Sequence, residues 1–184
     1  MLPRRAITGA INMKNTLLLV FTLVLLPGVT SAKSLHISPE IKMGPYWGAG
    51  ISGGGLQLGG TDVLGLDALY MSYSHTSAEL LWDKDRLKTY RIGGQYQLLD
   101  HPNKLGFQIE AGLVEYEGQR DYIWSDKSRS AHGSGASISG AWVLFLNEHV
   151  GLRVGGDFNY IDKKKTLLGN SWSATFSTGI VIHL

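Results

Sequence analysis

Apolar and polar residues alternate along most of this chain, most cleanly over its last stretch. From Val150 to Tyr160 the even positions are Val150, Leu152, Val154, Gly156, Phe158 and Tyr160, and the odd ones are Gly151, Arg153, Gly155, Asp157 and Asn159. After a polar break at 162–170 the pattern resumes. Trp172, Ala174, Phe176, Thr178, Ile180, Ile182 and Leu184 share one face, while Ser171, Ser173, Thr175, Ser177, Gly179 and His183 share the other, with Val181 the exception. A period of two marks a β-strand, because successive side chains point to opposite faces. Strands of about ten residues, apolar on one face and small or charged on the other, carry the signature of a membrane-spanning β-barrel.

The same reading, taken from the N-terminal side, predicts strands at 35–43, 46–58, 65–77, 87–99, 105–113 and 134–146, ahead of the two already described. Pro39 falls on the apolar face of the first and suggests a bulge or irregular stretch there. Gly53-Gly54-Gly55 blurs the parity of the second and marks a bulge or tight bend. Turns are expected at Gly44-Pro45, 59–64, 100–104 and 147–149, and polar loops at 78–86, 115–132 and 162–170. The predicted fold is all-β: an eight-stranded antiparallel up-and-down transmembrane β-barrel. An even number lets the sheet close with both termini on one side, and closure is required because lipid offers no partner to an open edge. Short connections on the periplasmic side and long ones outside give the expected asymmetry, with Gly44-Pro45 the short exception. Trp47, Tyr90, Phe158, Tyr160 and Trp172 fall near external strand ends and Tyr96, Phe107 and Trp142 near periplasmic ends, as two interfacial belts require.

Composition adds an export signal. The 184 residues have a net charge of +2 and no Cys, and a mean hydropathy near zero. The one long apolar run, 16–26, is too short for a spanning helix and suits the core of a signal peptide, with Arg4, Arg5 and Lys14 before it and Thr30-Ser31-Ala32 after it. We therefore divide the chain into a signal peptide, 1–32, and an outer-membrane barrel, 33–184, with Met13 a second candidate start. Lack of Cys excludes a disulfide scaffold, a thiolate metal site and a lipoprotein anchor. The mild charge leaves no nucleic-acid footprint. A secreted soluble β-sandwich is the bland alternative, but it would turn its apolar faces inward.

The inward face carries Glu40, Lys42, Arg91, Glu110, Arg153 and Asp157, three of each sign. Unpaired charge there would be costly, so a structural network filling the lumen is expected, and a barrel this narrow is filled by its own side chains rather than forming a pore. A proton or ion path is the minority reading. Gly48–Gly53 matches the letters of the dinucleotide fingerprint but sits in an alternating β segment, without the strand-to-helix context that motif needs. Ser72, Ser74 and His75, with Asp83 or Asp85 as orienting acid, raise the alternative of a rim enzyme modifying lipid A or phospholipid acyl chains. Lys163, Lys164 and Lys165, together with Arg120, Lys127 and Arg129, make the external surface basic, and Tyr122, Ile123 and Trp124 set apolar anchors beside them. This composition suits contact with lipopolysaccharide phosphates or acidic host glycans.

Tyr-Arg-Ile-Gly-Gly-Gln-Tyr at 90–96, Gln108 to Leu113 leading to a charged loop, and Asn147 to Tyr160 before a last alternating strand resemble the Ail/OmpX family of small eight-stranded outer-membrane proteins, and more loosely the opacity-protein group. The resemblance covers roughly the last half of the chain. It implies a non-enzymatic surface protein of the Gram-negative outer membrane, acting in adhesion, resistance to host defence or envelope integrity, with no catalytic residue, cofactor or metal. Its implied partners are outer-membrane lipid and lipopolysaccharide, a host or surface ligand, and the barrel-assembly machinery. The chain departs from such barrels at Leu184, where they carry an aromatic residue.

Overall fold

The computed structural model describes residues 32–45, 50–80, 83–99, 104–121 and 128–184. Eight strands run in chain order: β1 (Leu35–Met43), β2 (Ile51–Val63), β3 (Leu66–Leu80), β4 (Asp83–Leu99), β5 (Leu105–Asp121), β6 (Ser128–Phe145), β7 (Val150–Ile161) and β8 (Trp172–His183). Each pairs antiparallel with its neighbours, and β8 returns to β1, so the barrel is closed up-and-down. No edge is left along its wall, which is what a lipid environment demands. We call the end holding residues 32 and 184 the terminal end and the opposite one the loop end.

Alternation decides what each wall faces. On β4, Asp85, Thr89, Arg91 and Gln95 are buried in the lumen, whereas Arg86, Ile92 and Tyr96 are exposed outside. Tyr73, Tyr90, Leu113, Ala136, Tyr160 and Trp172 lie directly opposite one another from β3 to β8, forming one outward row. Toward the terminal end the next outward residues include Ile92, Ala111, Ile138 and Phe158; toward the loop end they are His75, Lys88, Glu115 and Ser134. On β4 to β7 the outward residues thus change from apolar to polar at this row, the change expected where an apolar surround gives way to water. A second aromatic group, Tyr96, Phe107 and Trp142, sits side by side nearer the terminal end. Neighbours traced from it through Val154, Thr178, Ile41, Gly54 and His75 return to β4 at Lys88, the stagger expected of tilted strands in a closed barrel.

Several expected boundaries move. The segment 59–64, expected as a turn, is mostly strand. Gly59 faces inward, and a Cβ there would lie 2.1 Å from the Leu69 carbonyl oxygen and 2.6 Å from the Tyr70 Cβ, so the glycine makes room for the neighbouring strand at Tyr70. The real turn is Leu64-Gly65, whose positive φ angles (54° and 80°) suit a tight hairpin. Segments 78–86 and 115–132, expected as loops, are largely continuous ladder. Glu79 pairs with Lys84 and Ser77 with Arg86, while Glu117 faces His132. Beyond the boundary row the outer face meets water, so a charged strand is as stable there as an apolar one is in lipid. β3 to β6 therefore project past the row as a four-stranded tongue. β1 ends at Met43 and β2 begins at Ile51; residues 46–49, where the second strand is expected to start and Trp47 to sit, lie outside the described residues. Pro39 lies in register between Ile37 and Ile41 with no shift on either side; the β1–β2 shift falls between Lys42 and Met43, opposite Ile51 and Gly53, just before the glycine run. That shift turns Ile51 outward with Leu56 and Leu58 despite their opposite parity.

Candidate functional site

The six inward charges come from β1, β4, β5 and β7 and meet across the lumen. Lys42 bridges Glu40 (2.9 Å) and Asp157; Arg91 bridges Asp157 (3.2 Å) and Glu110 (2.8 Å); Arg153 bridges Glu110 (3.4 Å) and Glu40. Going round, each cation touches two anions and each anion two cations, so the ring is closed and its charge cancels. Neutral side chains add further hydrogen bonds to Glu110 and Arg153. Ser72 and Gln57 each donate to Glu110 at 2.6 Å, and Arg153 donates to Gln108 and Ser177 at 2.7 and 2.8 Å. Buried charge is tolerated only when paired and hydrogen-bonded in this way.

Apolar layers close the lumen on both sides of the ring. Toward the loop end Leu87, Val114, Tyr116 and Ile161 cluster, and Ala131, Leu167 and Leu168 pack against them. Toward the terminal end Val143, Phe145 and Val181 form a second cluster, near His36, which stacks on Tyr70 at 4.8 Å. Among the described residues these two clusters flank the ring.

The basic residues of the loop end divide into two sets. Arg120 is held inward, at 3.2 Å from Asp83 and 2.8 Å from Asp85, and donates to the Leu167 carbonyl at 3.2 Å. Tyr116 donates to Asp85 at 2.5 Å and accepts from the Leu167 N–H at 3.1 Å. These contacts dock the connection 162–171 onto the inner face of the tongue. Burial, reinforced by the hydrogen bond to Asp85, pushes the Tyr116 phenol up to about 12. Burial works against the Arg120 charge, but the hydrogen bond and the charges of Asp85 and Asp83 outweigh it and raise its pKa. Arg120 is therefore committed to the fold.

Lys163, Lys164 and Lys165 are exposed on a 3-10 turn capped by Asp162, whose carboxylate accepts from the Lys164 N–H at 3.0 Å. That turn sits against β6: a Cβ on Gly133 would lie 2.9 Å from that of Lys165. Gly133 and Arg129 share the inward parity of β6, so Arg129, itself exposed, is on the same mouth-facing side. Among the described residues none of these four cations has a carboxylate partner. Tyr122, Trp124 and Lys127 lie outside the described residues.

Ser72, Ser74 and His75 do not assemble. Ser72 is spent on Glu110, and Ser74 bonds Thr89 at 2.6 Å, both inside the lumen; His75 is on the outer wall, one residue out of phase. Asp85 serves Tyr116 and Arg120 instead. What the sequence reading missed is the outward column Lys84, Arg86 and Lys88 on β4, which continues the parity of Tyr90 and Ile92 and was hidden by its polarity. Facing carboxylates offset part of it. Lys84 pairs with Glu79, whose pKa the hydrogen-bonded ammonium lowers, and Lys88 lies 3.4 Å from Glu117.

No family model matches the sequence, and no characterised protein matches it in sequence. Solved structures do resemble it in shape. The N-terminal β-barrel domain of Pseudomonas aeruginosa OprF superposes with a TM-score of 0.56 at 15% identity, covering 83% of this chain and 98% of that one. Yersinia pestis Ail, the attachment invasion locus protein, gives 0.52 at 9% identity over 82% and 97%. Ail in complex with the heparin analogue sucrose octasulfate gives 0.51 at 11% over 82% and 97%. At these identities the likeness is one of fold, that of an eight-stranded outer-membrane barrel.

Proposed function

We propose that this protein is a non-enzymatic surface barrel of the bacterial outer membrane whose loop end holds a polyanionic ligand, either lipopolysaccharide phosphates or an acidic host or surface glycan. The observation that carries this reading is the group of four cations, Arg129 and Lys163 to Lys165, which among the described residues have no carboxylate partner and lie on the mouth-facing side of the tongue. The closed charge ring and the apolar clusters on either side of it favour binding over transport, and the dispersal of Ser72, Ser74 and His75 argues against acyl transfer. Ail, a fold neighbour, has been captured with a polysulfated sugar, which accords with the same chemistry. On this reading residues 1–32 direct export, the assembly machinery inserts the barrel, and the loop end faces outward.

The test is binding of sucrose octasulfate and of purified lipopolysaccharide to the folded protein in detergent, with Lys163, Lys164 and Lys165 replaced together by Gln. Affinity for at least one ligand should fall at least tenfold in the triple variant. Exposed charges are screened over about 10 Å at 0.1 M salt, so wild-type binding should also weaken as salt rises. Undiminished binding by the triple variant would place the site elsewhere.

A further inference from the structure

Where the barrel closes, β1 against β8, the ladder is not continuous. Glu40 to Met43 pair with Gly179 to Phe176, and His36 and Ile37 pair with His183 and Ile182, but the pairing skips Ser38 and Pro39. Proline has no N–H to give to a ladder, and the Ser38 hydroxyl, buried at the same place, has no hydrogen-bond partner among the described residues. The terminal piece of the seam, 35–37 with 182–184, is therefore a short unit of its own. Two backbone bonds between Leu35 and Leu184, at 2.7 and 2.9 Å, hold it, together with one side-chain bond from His183 Nε2 to His36 Nδ1 at 3.1 Å.

The protons of that imidazole pair follow from its neighbours. Gln57 donates its amide N–H to the Glu110 carboxylate at 2.6 Å, so its carbonyl oxygen is the atom facing His36 Nε2 at 3.2 Å. His36 therefore carries its hydrogen on Nε2, its Nδ1 accepts, and His183 Nε2 donates. One added proton fits on His183 Nδ1 and leaves this bond in place. A second would set two N–H groups and two charges against each other. His36 is fully buried and stacks on Tyr70 at 4.8 Å, so no water relieves that conflict.

We propose that His36 and His183 form an acid-sensitive clasp on the closing seam: uptake of the second proton parts 35–37 from 182–184, while the seam beyond Pro39 stays shut. The surrounding charges do not remove the effect. His36 faces Tyr70 of β3, Glu110 of β5 and Arg153 of β7, and the last two belong to a ring without net charge. His183 faces Asp62 at the end of β2 and His149 on the turn before β7, with Asp67, Lys104 and Glu148 lining the same mouth. Asp62 favours the first proton on His183 and His149 opposes it, but neither lies between the two imidazoles. Opening would undo the stacking of His36 on Tyr70 and the contact of His183 with Phe145, 5.3 Å apart, on the mouth side of the charge ring. The clasp thus governs entry of water toward that ring.

The experiment is amide hydrogen exchange on the isotope-labelled, folded protein in detergent micelles, from about pH 8 to about pH 4.5, corrected for the intrinsic pH dependence of exchange. An open segment that binds one proton more than the closed one opens about tenfold more often per pH unit below the ordinary imidazole value of about 6.5. Leu35 and Leu184 should show this rise, and the amides of 40–43 should not. His183→Gln, at a half-buried position, keeps an N–H for His36 Nδ1 and cannot titrate, so its profile should be flat; His149→Gln should keep the wild-type profile. Imidazole nitrogen shifts of the wild type should place the His36 hydrogen on Nε2 at neutral pH and show the two rings titrating as a coupled pair. A flat profile at Leu35 and Leu184, an equal rise at 40–43, or a pH dependence that survives His183→Gln overturns the clasp. So do two imidazoles that titrate independently, a result that needs no variant.

Discussion

Arg153→Leu should be among the most damaging single substitutions in this barrel, and Glu40→Leu should partly repair it. Arg153 is fully buried, bridges Glu40 and Glu110, and donates to Gln108 and Ser177. Its removal opens the ring and leaves three anions against two cations in a site without solvent. Breaking a buried pair by deleting one partner costs about 3–5 kcal/mol. At about 1.4 kcal/mol per decade, that is more than a hundredfold in the folding equilibrium. Deleting Glu40 as well leaves the chain Lys42–Asp157–Arg91–Glu110, two cations and two anions in alternation, and puts leucine in both vacated places. The double variant should therefore be more stable than Arg153→Leu alone, with a coupling energy on the order of 2 kcal/mol. Urea titration of the refolded protein in micelles, read by tryptophan fluorescence and by the heat-sensitive shift in gel mobility, measures all four corners of the cycle. A single variant within about 1 kcal/mol of wild type, or a double variant as unstable as the sum of the singles, would refute the closed ring as an energetic unit.

Three further outcomes follow from the same geometry. Tyr116→Phe removes the bonds to Asp85 and Leu167 and should loosen the 162–171 connection at a cost of about 1 kcal/mol, seen as faster proteolysis there with the barrel intact; unchanged cleavage would count against the docking. Because the folded phenol titrates near 12, above its ordinary value of 10, its contribution is complete below pH 10 and is lost as pH rises toward 12, so cleavage of the wild type should accelerate over that window and that of Tyr116→Phe should not. Gly59→Ala drives a methyl against the Leu69 carbonyl and the Tyr70 side chain and should cost about 1–3 kcal/mol, while Gly140→Ala, whose nearest neighbour would be Phe107 at 3.6 Å, should cost far less; equal losses would show that inward space is not the constraint. His75→Ala should leave lipid A acyl profiles unchanged by mass spectrometry, and a His75-dependent acyl change would revive the enzyme reading.

The parts of the fold that were legible in sequence are those with lipid on one side and the lumen on the other. β7 and β8 showed this contrast along their whole length, and their bounds hold almost to the residue. Contrast fails wherever the outer face leaves the apolar band. Lys84, Arg86, Lys88, Glu115 and Glu117 alternate as faithfully as Tyr90 or Leu113, but here the outer face is charged and the inner one carries Leu87, Val114 and Tyr116, so the contrast reverses where the apolar band ends and the reading takes the reversal for a loop. Glycine misled for a related reason: Gly59 and Gly60 read as a turn, yet Gly59 is there to admit Tyr70, and the actual turn hides behind the apolar Leu64. For the charged residues, parity was readable and connectivity was not. Which residue meets which across the lumen depends on barrel stagger, and that is a property of all eight strands together. Docking of the 162–171 connection draws on β4, β5 and the connection itself, so no local pattern could announce it.

The distribution of charge along the barrel axis links the structure to its proposed role. The ring contributes no net charge, because its three cations and three anions close on one another. The field at either mouth is thus set by the residues there. At the loop end Arg120 is held by Asp83 and Asp85, and among the described residues there Arg129 and the three lysines are the cations without a carboxylate partner. If the loop end faces the phosphate-rich outer leaflet, the attraction there is long in reach and sensitive to salt. Raising salt from 0.05 to 0.5 M should therefore weaken polysulfate binding at the lysines, and affinity unchanged over that range would mean that charge does not hold the ligand there.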